Sequence, residues 1–184
     1  MVRLMDACAE YNRKMLILDR PNPNGHYVDG PILDMKYKSS VGWLPIPIVH
    51  GMTLGELALM VNGERWLPAS RICDITVIKC KNYTHQTMYE LPIPPSPNLP
   101  NMKAVYLYPS TCYFEATPVS LGRGTQRPFQ IYGHPNMLGY DYTFTPQSIP
   151  GAKNPPQLNR ICHGVNLSEL SNEEIWKKGV DLSY

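Results

Sequence analysis

Between Leu91 and Asn101 the chain places five prolines in eleven residues, and no other stretch restricts the fold as strongly. Each proline holds φ at about −65° and removes a backbone donor, which excludes the run from helix interiors and central strands. It reads as a rigid connector into a second folded unit, in preference to a proline-rich ligand for a partner domain. With 19 prolines among 184 residues, about twice the usual share, short elements and fixed loops are expected on both sides.

Ahead of the connector the pattern is α/β. Val2, Leu4, Met5, Cys8 and Ala9 recur at helical spacing, and Met15-Leu-Ile-Leu18 reads as a short buried strand. The helix lacks an N-cap, which suggests a natural start further upstream. A polar loop is expected from Asp19 to Pro31, at the carboxyl end of that strand, where open α/β sheets bind ligands. Its Arg20, His26, Tyr27 and Asp29 supply more chemistry than a turn needs, although Asn22, Asn24, Gly25, Asp29 and Gly30 are also ordinary Asx-turn formers. Gly42 to His50 is an extended run ending in a histidine. Thr53 and Glu56 have capping-box spacing and start a helix over Leu54, Leu57, Ala58, Met60 and Val61, stopped by Gly63. Ile72 to Lys79 follows as a β-branched strand, and the loop after it carries Asn82, Tyr83, Thr84 and His85. That loop and the Asp19 loop are expected on one sheet edge, with His85 a ring of the kind that titrates near neutral pH.

Beyond the connector, Val105-Tyr-Leu-Tyr108 reads as a strand, and Pro109-Ser-Thr opens a helix through Phe114 and Glu115. Strands are expected at Phe129–Tyr132, Tyr140–Thr145 and Ile161–Val165, with Gly133-His134-Pro135 a turn between the first two. Ser168 then caps a helix holding Leu170, Ile175 and Trp176, and Gly179 to Tyr184 begin one more element. The fold class expected is therefore α/β: a partial Rossmann-like parallel sheet in residues 1–90, followed by a smaller α+β domain in 91–184, incomplete at its C-terminus.

The richest chemistry lies between Leu107 and Thr125. Glu115 follows Tyr113 and Phe114, so partly dry surroundings of the kind that make a carboxyl a useful acid are expected. Arg123, flanked by Gly122 and Gly124, can bring a planar fork against a carboxylate or phosphate, with the Thr125 hydroxyl beside it. The plainer alternative is an ion pair between Glu115 and Arg123.

A net charge of +2 with no basic run argues against a nucleic-acid footprint. No apolar run is long enough for a membrane span, and no signal-peptide pattern is visible. The five cysteines are too scattered for a zinc ribbon or disulfide framework, and the five histidines never take the spacing of a zinc helix. No metal or cofactor is called for. Phosphate-loop, dinucleotide and nucleophile-elbow motifs are all missing.

Taken together, Asp19-Arg-Pro-Asn-Pro-Asn-Gly-His-Tyr-Val-Asp-Gly-Pro31, Ile46-Pro-Ile-Val-His-Gly-Met-Thr-Leu-Gly-Glu56, Asn82-Tyr-Thr-His85, Pro95-Ser-Pro-Asn-Leu-Pro-Asn101, Glu115-Ala-Thr117 and Gly122-Arg-Gly-Thr-Gln-Arg-Pro-Phe129 resemble the NamZ-type exo-β-N-acetylmuramidases, formerly a conserved domain of unknown function. The resemblance covers the chain from about residue 2 onward and implies a fragment truncated at both ends. It implies a two-domain hydrolase that releases N-acetylmuramic acid from the non-reducing ends of peptidoglycan fragments, with its active site between a Rossmann-like and a smaller domain. It also implies export in the full-length protein, as a periplasmic, secreted or lipid-anchored form. The family's proposed catalytic glutamate is expected upstream, so it is not carried onto any residue here. On this reading Glu115 and His85 are the catalytic candidates. Asn24, Asp29, His50, Asn82, Tyr83, Arg123 and Thr125 are the candidates for binding a peptidoglycan-derived sugar. The rival readings are a non-catalytic muropeptide-binding module, an inactive fragment, and a half-sheet that self-associates through its open edge.

Overall fold

The computed structural model describes all residues, 1–184. Its contacts divide into two compact units, Met1–Tyr89 and Glu90–Tyr184. The first is a small α/β layer. Helix α1 (Val2–Glu10) precedes strand β1 (Met15–Leu18); β2 (Asp29–Ile32) and β3 (Pro47–Val49) come next, then helix α2 (Leu54–Gly63) and β4 (Ile75–Ile78). β1 and β4 pair in parallel, Met15 opposite Ile75 through Leu18 opposite Ile78, as a strand, helix and strand order requires. One face of this pair packs on α1 and α2 through Met5, Ile17, Ala58 and Val61. On the other face Leu16 and Leu18 are 61% and 68% exposed, so β1 is half-buried and departs from the buried strand expected. Period-two alternation puts Ile17 inward and its neighbours outward.

The Asp19 to Pro31 segment is not wholly loop. Asp29 to Ile32 form β2, antiparallel to β3 with Asp29 opposite Val49 and a register shift before Ile32 opposite Pro47. Proline in both strands limits this ribbon to a few hydrogen bonds. Helix α2 starts on the capping box read from the sequence: the Thr53 hydroxyl accepts from the Glu56 amide, and the Glu56 carboxylate accepts from the Thr53 amide at 2.8 Å.

The second unit contains α3 (Met102–Thr111), β5 (Ile131–His134), β6 (Tyr142–Phe144), β7 (Cys162–Asn166) and α4 (Asn172–Lys178). The three strands form an antiparallel sheet with β7 in the middle. Gly133 and Gly164 face one another there, and a Cβ on Gly164 would stand 1.9 Å from the Tyr132 carbonyl oxygen. The two helices enclose Met102, Val105, Tyr106, Leu107, Leu167 and Ile175.

Four local expectations are corrected here. Val105 to Tyr108 is helical and not a strand: Asn101 caps α3 by accepting from the Ala104 amide, and Val105, Tyr106 and Leu107 are all buried on it. Burial and a cap outweigh the β-propensity of a valine and two tyrosines. The helix therefore begins seven residues before Pro109 and continues after Thr111 only as one 3-10 turn, Cys112–Phe114. Gly133 and His134 end β5, and the turn expected over residues 133–135 starts at His134, whose carbonyl accepts the Met137 amide at 3.1 Å. The last helix is capped by Ser171 with Glu174, a complete capping box, which leaves Leu170 outside. Ser168 instead gives its amide to Asn166 Oδ1. Finally, Gly179 to Tyr184 form neither helix nor strand; Asp181 docks its amide on Ser110 Oγ at 2.9 Å.

Candidate functional site

In the first unit the polar loops after β1 and β4 meet above the N-terminus of α2. Asp19, the residue after β1, receives the Gly55 amide at 2.8 Å and the Thr53 hydroxyl at 2.7 Å. A side chain on Gly55 would stand 2.9 Å from the Asp19 carboxyl carbon and 2.5 Å from Val77, so glycine is what lets the carboxylate approach the helix end, where negative charge is favoured. Glu56 divides its oxygens: Oε2 closes the cap, and Oε1 lies 3.0 Å from His85 Nε2. The other ring nitrogen, Nδ1, is 2.7 Å from the Gly25 carbonyl oxygen.

Both His85 partners are acceptors, and only an imidazolium can donate to both. The Gly25 carbonyl and then Glu56 accordingly raise the His85 pKa above its ordinary 6.5. Burial works against the Glu56 carboxylate, yet the Thr53 amide and His85 together hold its pKa below the usual value. Tyr83 ties the loops a second time: its hydroxyl donates to the Asn22 carbonyl at 3.0 Å and accepts from the Asn22 amide at 3.2 Å. His50 is the opposite of His85. Its Nδ1 accepts from the Met52 amide at 3.1 Å, and burial lowers its pKa, which keeps the ring neutral. A hollow of about 200 Å³ bordered by Asp19, Thr53, Glu56, Lys79 and Tyr83 opens beside this network.

A raised folded pKa adds stability that is complete below the unfolded value and disappears as pH rises through the folded one. Substituting His85→Gln should therefore lower Tm most at about pH 5.5, where the unfolded ring is also charged, with the deficit shrinking towards pH 9. A deficit that stays constant with pH would show that the imidazolium charge contributes nothing.

In the second unit Glu115 and Arg123 are paired, Arg123 Nη2 lying 2.5 Å from Glu115 Oε1. The other carboxylate oxygen accepts the Tyr108 hydroxyl at 3.0 Å. Burial, aided by Glu115, pushes the Tyr108 phenol up to about 12, so it remains a donor. Glu115 therefore sits between two donors, in the ion pair given as the plainer alternative, with its side chain about one-third exposed. The Arg123 guanidinium lies over the Phe129 ring, 5.0 Å from its centroid. Next to the pair is a pocket of about 420 Å³, which Lys153 and Leu121 also line.

Of the sequence candidates, Tyr83 and His85 join the first unit's network; Asn24 gives its amide to Asn22 Oδ1, and His50 lines a separate hollow with Trp43 and Ile46. Glu115 and Arg123 line the second unit's pocket. Thr125 spends its hydroxyl inside its own turn, donating to the Gly122 carbonyl at 2.7 Å and accepting from the Arg127 amide. Asp29 is exposed in β2, where it accepts the Gly30 amide. Asn82 is exposed in a turn with φ 59°. Sequence reasoning missed three groups. Asp19 stood out only as the end of a strand, Glu56 only as a cap, and Lys153 had no local signal.

Comparison with known proteins agrees with this architecture. Residues 1–103 match the profile of the N-terminal region of exo-β-N-acetylmuramidase NamZ, and residues 106–179 match its C-terminal region. This chain belongs to the NamZ family. The peptidoglycan β-N-acetylmuramidase NamZ of Bacillus subtilis (strain 168) is 38% identical over 183 aligned positions, which span 91% of this chain and 43% of that protein. A crystal structure of a DUF1343 family protein from Bacteroides fragilis NCTC 9343 superposes with a TM-score of 0.98 at 86% identity, covering all of this chain and 52% of the other. A second DUF1343 protein from the same strain gives a TM-score of 0.75 at 28% identity, covering 93% and 50%. The chain thus spans about half the length of each of these relatives.

Proposed function

We propose that this chain is part of a glycoside hydrolase acting on the non-reducing N-acetylmuramic acid of peptidoglycan fragments, in a protein that is exported. The match to a relative named peptidoglycan β-N-acetylmuramidase, covering 91% of the chain, carries the reading. The first unit is read as the carboxyl-terminal half of a Rossmann-like domain. Muramic acid differs from glucosamine by a lactyl ether that ends in a carboxylate. Arg123 spends one N–H on Glu115 and has further donors in its planar fork for that group. Glu115, with both oxygens accepting, is suited to stabilise positive charge developing on the sugar or to accept a proton. In the first unit, Asn24, Asp29, Asn82 and Tyr83 are the candidate sugar contacts, and His50 offers a neutral ring. His85 supports the reaction through its hold on Glu56.

A second reading, binding without turnover, is favoured by Glu115, whose two oxygens are already engaged by Tyr108 and Arg123. Incubation with a chromogenic β-N-acetylmuramic acid glycoside, with the chain alone and with the remaining half of a relative added, separates the two. Release of the sugar in either incubation supports the hydrolase; binding of the methyl glycoside with no release in both supports the module. Neither binding nor release would overturn both. Arg123→Met should weaken binding by about tenfold or more, the effect of losing a charge-assisted hydrogen bond.

A further inference from the structure

The pocket beside Glu115 holds three charges: Glu115, Arg123 and Lys153. The first two cancel at 2.5 Å. Lys153 takes part in none of the chain's eight ion pairs, so the pocket retains a positive charge with no carboxylate of the chain answering it. We propose that Lys153 is a specificity-determining residue, which together with Arg123 holds the lactyl carboxylate and so distinguishes muramic acid from uncharged N-acetylhexosamines. This inference rests on the reading above that the ligand is an N-acetylmuramic acid glycoside.

The loop carrying Lys153 is built to hold it in place. The Gln147 amide donates to the Gly124 carbonyl at 2.9 Å, and Ile149 and Ala152 exchange hydrogen bonds at 3.2 and 3.0 Å. Asn98 Nδ2 donates to the Gly151 carbonyl at 3.1 Å, where Gly151 turns the chain with φ 86°. Ala152 and Pro155, on either side of Lys153, are buried. Lys153 itself is exposed, so its ammonium hangs from a fixed backbone on a flexible stem, free to reach a ligand. Gly124 brings the backbone of the Arg123 turn against this same loop: a Cβ there would stand 2.7 Å from Pro155. Two cations, one planar and one a point charge, thus line one pocket. Val119 and Leu121 add apolar wall, suitable for the lactyl methyl.

Glu115 gives the arrangement its selectivity. Glu115 and Arg123 together carry no net charge, so Lys153 supplies the net attraction for an anion while Arg123 keeps free donors to hydrogen-bond it. An uncharged hexosamine gains nothing from that attraction.

Titration calorimetry with the methyl β-glycosides of N-acetylmuramic acid and N-acetylglucosamine tests this on the whole chain. The wild type is expected to prefer the muramic acid glycoside by about tenfold or more, the value of one charge-assisted contact. Lys153→Met should lose most of that preference with its affinity for the glucosamine glycoside unchanged, and Lys153→Arg should keep it. The muramic acid glycoside with its carboxylate converted to an amide should bind wild type and Lys153→Met alike. Lys153→Met retaining the wild-type preference would overturn the inference and leave the proposed function standing. Wild type binding both sugars equally would also overturn the inference, and wild type binding neither would overturn the proposed function with it.

Discussion

Replacing Phe129 with alanine is expected to destabilise the second unit by about 3–5 kcal/mol, the usual cost of emptying a buried phenylalanine site. Phe129 is 1% exposed and packs with Ala104 and Leu121. Its ring meets Tyr108 edge-on at 5.1 Å and carries the Arg123 guanidinium on its face. The substitution therefore removes the floor from under both donors to Glu115. Phe129 also has φ 58°, a left-handed conformation that costs a residue with a side chain about 1–2 kcal/mol. That gives a second, more pointed expectation. Glycine is normally worse than alanine where it replaces a larger residue, but here Phe129→Gly should be no less stable than Phe129→Ala, because relief of the backbone offsets the lost methyl. Urea unfolding of the two variants checks both statements. A loss of under about 1 kcal/mol in Phe129→Ala would show the ring is not core. Glycine falling clearly below alanine would show the backbone is not held left-handed.

The parts of this fold that were legible are those specified by neighbours in the chain. Thr53 and Glu56 announce α2 because a capping box is a local hydrogen-bond pattern, and Met15 to Leu18 and Ile72 to Lys79 announce strands by their branched side chains, the second shortened in the fold to Ile75–Ile78. Two parallel strands joined through a helix then oblige the loops after them to open on one edge, which is how Tyr83 and His85 came to be expected near the Asp19 loop. What failed was decided at longer range. Val105-Tyr-Leu-Tyr108 has strand propensity, but its burial against Leu167 and Ile175 of a later segment makes it helix. The Ser171-x-x-Glu174 box is as local a signal as that of α2, whereas Ser168 heads a Ser-x-x-Ser spacing that lacks the acidic third residue. In the candidate sites, the pairing of Glu115 with Arg123 could be read because they lie only eight positions apart, with Arg123 on a turn between Gly122 and Gly124. The bond between Glu56 and His85 spans 29 positions, and a helix cap gives no hint that one of its oxygens is spared for a distant ring. Lys153 lies in a loop of prolines, glycine and asparagine with no periodicity, and only the contact of Gly124 with Gln147 and Pro155 brings it beside Arg123.

That contact is the basis for expecting Gly124→Ala to damage stability and recognition together. Gly124 has φ 83°, and a Cβ there would stand 2.4 Å from the Gln147 carbonyl oxygen, 3.0 Å from its amide nitrogen and 2.7 Å from Pro155 Cγ. Neither backbone nor a proline ring can swing aside, so the Arg123 turn and the Lys153 loop must separate. The hydrogen bond from Gln147 to the Gly124 carbonyl goes with them. Left-handed strain and the lost packing should total about 2–4 kcal/mol. The consequence for recognition follows from geometry: once the two cations are no longer held by one contact, Gly124→Ala should lose the preference for a muramic acid glycoside as fully as Lys153→Met, although it changes no charge. Gly139→Ala provides the comparison, since a Cβ there meets nothing within 4 Å and its stability should stay within about 0.5 kcal/mol of wild type. If Gly124→Ala unfolds like wild type and keeps the preference, the turn and the loop are not packed together, and the two-cation arrangement fails with them. If it is destabilised but keeps the preference, Lys153 and Arg123 act independently, and each must find the carboxylate without the other's position being fixed.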